Sequence, residues 1–147
     1  MGEEIVSSEY DECVQKSKLK PFSRGHTLAA KELETATSDL ESAEKTYSDG
    51  NYKWATIQVY YAMFHAARAL IYSQGLRERS HHCLVMAVKE LFVDKKLIPA
   101  NLLEALKEAK SLREDADYYN RWSEDGSKRL LASARAFLDR ARYILSK

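Results

Sequence analysis

The sequence predicts an all-α protein, an up-and-down bundle of four or five helices. Three observations carry that expectation. Large apolar residues recur at intervals of three and four along most of the chain after Gly25, the spacing that places them on one side of a 3.6-residue helix. Only five glycines and two prolines interrupt 147 residues, so good helix formers dominate. No alternating run of β-branched residues, internal repeat or low-complexity tract is present.

The elements follow in order. Residues 1–24 mix acids, serines and lysines, and Pro21 interrupts any helix running from Glu9 to Lys20. They read as an extension, partly helical or flexible, ahead of a bundle spanning 25–147. Leu28, Leu33, Ala36, Leu40, Ala43 and Tyr47 then mark an amphipathic helix of about six turns, stopped at Asp49-Gly50. From Asn51 to Gln74 the chain is apolar nearly all round, which predicts a central helix or one buried in an oligomer interface. Ser80 suits the N-cap of a helix carrying Leu84, Val85, Val88, Leu91 and Phe92. Pro99 suits a first helical position ahead of Leu102, Leu103, Leu106, Ala109, Leu112 and Ala116. After Ser123-Glu124-Asp125-Gly126, a last helix carries Leu130, Leu131, Ala134, Phe137, Leu138, Ala141 and Ile144.

Composition limits the function classes. At this length one core is the default, and a net charge of +1 gives no global bias toward nucleic acid or an acidic membrane surface. The charge is nevertheless segregated: two lysines oppose six acids over 27–50, whereas seven basic residues oppose three acids over 121–147. Those helices are expected to be neighbours or dimer partners, with a phosphate-attracting groove along the last helix as the alternative. Cys13 and Cys83 stand apart with no CxxC spacing, so neither a disulfide framework nor a zinc site is expected and a reducing cytosol is the natural home. No basic leader precedes an apolar core and no apolar run reaches the ~18 residues of a membrane span. The expectation is a cytoplasmic protein with no membrane, metal or cofactor requirement.

The chemistry concentrates in two stretches. Arg113 precedes Asp117 by four residues and Tyr118 by five, so a helix brings the cation beside the carboxylate. That constellation reads either as an intrahelical ion pair with Tyr118 packed on the central helix, or as a nucleotide or RNA-phosphate site with a tyrosine for stacking. Tyr60, Tyr61 and Phe64 read as core and dimer contacts, and His65 as a hydrogen-bonded core or interface histidine. Arg68 must find a partner across the bundle or face the cleft beside Arg113. His81 and His82 lack a suitably spaced third ligand and are read as structural.

Tyr60-Tyr61-Ala62-x-Phe64-x-Ala66-x-x-Ala69-Leu70, then Gly75, Ser80-His81, Phe92-Val93 and Arg113-x-x-Ala116-Asp117-Tyr118 together resemble the HEPN family. The likeness spans about Leu28 to Leu145 and is nearest to small stand-alone prokaryotic members. It implies a helical bundle that forms a homodimer and partners a minimal nucleotidyltransferase, often as a toxin–antitoxin module with the HEPN protein as a metal-independent RNase. In such RNases a histidine follows an arginine with four to six residues between them: the arginine holds phosphate and the histidine exchanges a proton. Here those positions are Tyr118, Tyr119 and Asn120, none a base at neutral pH. Arg77-x-x-x-x-His82 matches literally but lies between the second and third core helices, and is read as chance.

The expected role is therefore a nucleotide- or RNA-binding partner of a nucleotidyltransferase, with Arg113, Asp117, Tyr118 and Arg68 as candidate phosphate-site residues. The resemblance also implies that Tyr118 or Tyr119 is a nucleotidylation target, which would fill the cleft at Arg113 with negative charge. An RNase with a variant active site and a non-catalytic dimeric assembly module are the alternatives.

Overall fold

The computed structural model describes residues 8–147 and contains six α-helices and one two-stranded sheet. The long helices lie where the apolar spacing places them: α2 is Gly25–Ser48, α3 Tyr52–Ser73, α5 Ala100–Tyr118 and α6 Glu124–Leu145. The short α4, His81–Val88, continues into a π-helical turn at Lys89–Val93, so Leu91 and Phe92 lie beyond the regular helix. Ser80 caps α4 as expected, accepting from the Cys83 amide at 3.2 Å. Pro99 stands one residue before α5, in extended backbone, rather than inside its first turn.

Helix α3 is the axis of the bundle and packs against α2, α4, α5 and α6. Its small residues explain why: Ala55, Ala62, Ala66, Ala67 and Ala69 are wholly buried and let neighbouring backbones approach, while Val59, Met63, Leu70 and Ile71 fill the core. At the α2–α3 turn Gly50 takes φ +82, a conformation open to glycine and strained for most side chains. The start of α2 presses on the end of α3 so closely that a Cβ on Gly25 would stand 2.5 Å from the Tyr72 carbonyl oxygen.

The segregated charge is resolved within the bundle. Helix α6 packs against α2, where Arg135 donates to Glu44 at 2.9 Å and Arg142 to the Thr37 hydroxyl at 2.9 Å, and Arg129 meets Glu108 of α5 at 2.6 Å. The helices are neighbours with complementary faces, as the first reading of their charge expects.

One expectation is overturned in the N-terminal segment, and a small sheet ties that segment to the bundle. Cys13 and Cys83 form a disulfide across a separation of 70 residues, joining α1 (Glu9–Gln15) to the first turn of α4. The absence of a CxxC motif carried no information, because bridging depends on spatial approach rather than sequence spacing. β1, Leu19–Pro21, pairs antiparallel with β2, Leu76–Glu78, in the register Leu19 with Glu78 and Pro21 with Leu76. Three residues per strand are too few to give an alternating signal. Cys13 and Leu19 belong to the same apolar core as the long helices. Among the described residues no helix is long and apolar enough to cross a membrane, and no group of histidines, cysteines and acids is placed to hold a metal ion.

Candidate functional site

Arg113 sits on the last turns of α5, facing the N-terminal half of α3. The i, i+4 spacing delivers the ion pair: its Nη2 lies 3.3 Å from the Asp117 carboxylate. The rest of its surroundings are aromatic. Nη2 donates to the Tyr61 hydroxyl at 3.0 Å and Nη1 to the Tyr118 hydroxyl at 3.4 Å. The guanidinium carbon lies 5.6, 5.5 and 5.3 Å from the ring centres of Tyr60, Tyr61 and Tyr118. Three tyrosines thus form a cage around one cation, within the range where ring faces attract positive charge. Burial alone would weaken the charge, but Tyr61, Tyr118 and Asp117 outweigh it and hold the Arg113 pKa above its ordinary value. Its Nε is buried with no hydrogen-bond partner.

Behind the cage lies a second pair. The Tyr60 hydroxyl and His81 Nδ1 are 3.2 Å apart. Burial, reinforced by Tyr61, Glu114 and Glu78 against the pull of Arg113, pushes the Tyr60 phenol up to about 12. Burial, with Lys110 and His82 adding, pushes His81 down to about 4, against the pull of Glu114. His81 is therefore a neutral imidazole at neutral pH, and its Nε2 is buried without a partner. Tyr60 joins it to the Arg113 cage.

The tyrosines after Arg113 are exposed. Tyr118 is 63% and Tyr119 62% accessible, so Tyr118 is not buried against the central helix as the ion-pair reading expects. Its ring and hydroxyl instead reach back to Arg113. Tyr119 lies beneath Arg121, whose guanidinium carbon is 5.4 Å from its ring centre. Asn120 ends α5 with φ +53, and the Arg121 amide folds back onto the Asp115 carbonyl at 2.9 Å, which directs the following residues toward α3.

Arg68 is not brought to this cluster. It binds Glu78 of β2, with Nη2 to Oε2 at 2.8 Å, and stacks on Phe64 at 4.5 Å. It has found an acid across the bundle, one of the two fates open to a charge on that helix. His65 is hydrogen-bonded as expected, with Nδ1 2.7 Å from Glu32 of α2. Of the aromatic residues read as core and dimer contacts, Tyr60 is buried and Tyr61 is 37% exposed. The literal Arg77-to-His82 match is not a site: Arg77 belongs to β2 and lies over Phe22, while His82 opens α4. Sequence reasoning missed Tyr60 and Tyr61 as cage members and His81 as their support. No local signal marks them, since they meet Arg113 from another helix.

The HEPN domain family matches residues 29–144. The chain is 27% identical over 118 residues to the protein named "Putative toxin MJ0142" of Methanocaldococcus jannaschii, covering 78% of this chain and 80% of that one. It is 29% identical over 110 residues to a "UPF0332 protein" of Archaeoglobus fulgidus, covering 74% and 87%. The crystal structure of TT1696 from Thermus thermophilus shares the fold with a TM-score of 0.67 at 21% identity, covering 79% of this chain and 97% of that one. With its family match extending over the bundle and its relatives aligned along most of their own lengths, the chain belongs to the HEPN domain family.

Proposed function

We propose that this protein is a toxin-like HEPN member that binds nucleotide or RNA phosphate at Arg113, as a cytoplasmic homodimer partnered by a minimal nucleotidyltransferase. The observation that carries the reading is the tyrosine cage, which holds a cation against three ring faces with Asp117 as its one ion-pair partner among the described residues. Ring faces attract a guanidinium without cancelling its charge, so positive charge remains for a phosphate to pair bidentately. A relative carrying the word toxin in its name supports the toxin-like part. Tyr118 suits nucleotidylation better than Tyr119, because its exposed hydroxyl contacts Arg113 directly and an added phosphate would occupy that guanidinium.

The second reading is RNA cleavage, favoured by one contact: His81 reaches the cage through Tyr60. Its burial and its pKa of about 4 make it a poor proton acceptor from a substrate, so binding is the first choice.

The deciding experiment incubates wild type and Arg113→Ala with labelled RNA and, separately, labelled ATP, in chelator at low salt. The binding reading expects saturable retention that falls at least about ten-fold in the variant, with unchanged helical circular dichroism. Metal-independent cleavage abolished by the substitution selects the RNase reading. Equal retention by a folded variant overturns the assignment of Arg113, and silence with both ligands leaves assembly as the function.

A further inference from the structure

Helix α6 carries four arginines, and three of them hold a carboxylate: Arg129 with Glu108, Arg135 with Glu44 and Arg142 with Asp139. Arg140 does not. Its Nε donates to the Leu97 carbonyl at 2.6 Å and its guanidinium carbon lies 4.8 Å from the Tyr143 ring centre. Among the described residues no acceptor meets its two Nη groups. A guanidinium tied along one edge and held over a ring keeps its remaining donors as a fixed fork, ready for an oxyanion.

Arg140 lines a cleft of about 350 Å³ where the chain passes from the π-helical turn into α5, a volume within the range of small-molecule sites. Lys96 and Arg140 are the only polar side chains lining it, and Val93, Leu97 and Pro99 belong to its apolar walls. Lys96 stands there in left-handed backbone, φ +62, where glycine would be the unstrained choice. Asp94, two residues before it, is engaged by Lys89 at 3.2 Å, and Lys96 forms no ion pair among the described residues. The walls offer no neutral polar side chain with which to read a base or a sugar. Nor is the Tyr143 ring free for a base to stack on, since Arg140 and Lys147 both lie 4.8 Å from its centre.

We infer that this cleft binds a small phosphomonoester with an apolar body, the phosphate on Arg140 and Lys96 and the body against Val93, Leu97 and Pro99. A phosphomonoester carries about −1.5 to −2 charges at pH 7, which the two cations match more closely than they would a single carboxylate. Arg113 lies thirteen residues further along α5 than the Ala100 that borders the cleft, about 20 Å away. The inference does not rest on the function proposed for Arg113.

Phosphorus NMR titration of the full chain with hexyl phosphate and, separately, inorganic phosphate tests the site. Hexyl phosphate should bind saturably and at least about five-fold tighter than inorganic phosphate, because only it covers the apolar walls. Arg140→Gln should weaken it at least about ten-fold and Lys96→Asn at least about three-fold. Asparagine tolerates left-handed backbone, so the second variant keeps the turn. Arg113→Ala should leave the affinity unchanged. Absence of saturable binding, equal affinity for the two phosphates, or undiminished binding by folded Arg140→Gln and Lys96→Asn each overturns the inference. Binding lost in Arg113→Ala and kept in Arg140→Gln overturns it by moving the phosphate to the tyrosine cage. Association confined to phosphatidic acid vesicles, with hexyl phosphate inert, overturns it in favour of a lipid surface.

Discussion

Replacing His81 with glutamine should change how stability depends on pH, and the direction follows from the burial of the imidazole. In the folded protein His81 titrates at about 4, against 6.5 for a free side chain. Between those values the unfolded chain takes up a proton that the folded chain refuses, so stability falls as the pH drops from about 6.5 toward 4. At 1.36 kcal/mol per pH unit the full difference is ~3 kcal/mol, and partial solvent access to the ring reduces this to about 2 kcal/mol. The groups facing the ring are Tyr60, Lys110, Glu114 and His82. The assay is urea denaturation of wild type and His81→Gln at several pH values between 7 and 4. Carboxylate titration is common to both proteins and largely cancels in the difference. The wild-type advantage should be constant above about pH 6.5 and shrink by about 2 kcal/mol on acidification. A difference that stays flat with pH would refute the assignment of a buried, neutral imidazole.

Three further perturbations test the scaffold. Reducing Cys13–Cys83, or replacing both with serine, frees a 70-residue loop and should cost about 2–4 kcal/mol, roughly 5–15 °C in Tm, with the double serine variant insensitive to reductant. Arg68→Met leaves the Glu78 carboxylate buried, its side chain only 5% exposed, and should cost about 2–4 kcal/mol by denaturant titration, whereas Arg68→Met with Glu78→Leu should cost clearly less. Gly25→Ala drives a methyl into the Tyr72 carbonyl and should lose about 1–3 kcal/mol in thermal unfolding; a neutral result would show that α2 can shift away.

Periodicity made the long helices legible because each buries one face over several turns, so the apolar spacing is repeated many times. The same signal could not find β1 and β2, whose three-residue strands repeat nothing, nor the π-helical turn, where Leu91 and Phe92 keep apolar spacing while the backbone loosens. The Arg113–Asp117 pair was legible since both ends lie on one helix. The tyrosine cage was not, because Tyr60 and Tyr61 reach Arg113 only through the packing of α3 against α5. Apolar character all round at α3 does not separate core from an oligomer interface: its inner positions are core, while Trp54 and Tyr61 stand exposed on the outer side.

On the proposed reading, the cage lets a tyrosine stand where the resemblance to HEPN RNases implies a histidine without leaving the site inert. A histidine at that position would add a proton carrier but would compete for positive charge next to Arg113. Tyr118 instead contributes a ring face at 5.3 Å and a hydroxyl at 3.4 Å, both of which favour the guanidinium. Tyr60, buried and bonded to His81, fixes the opposite wall. An arginine held by rings rather than by a second carboxylate loses little rotamer freedom when an anion arrives, and an incoming phosphate has only the half-exposed Asp117 to displace. Orientation and charge are thus supplied while the proton-transfer group is withheld, a combination that suits binding more than cleavage.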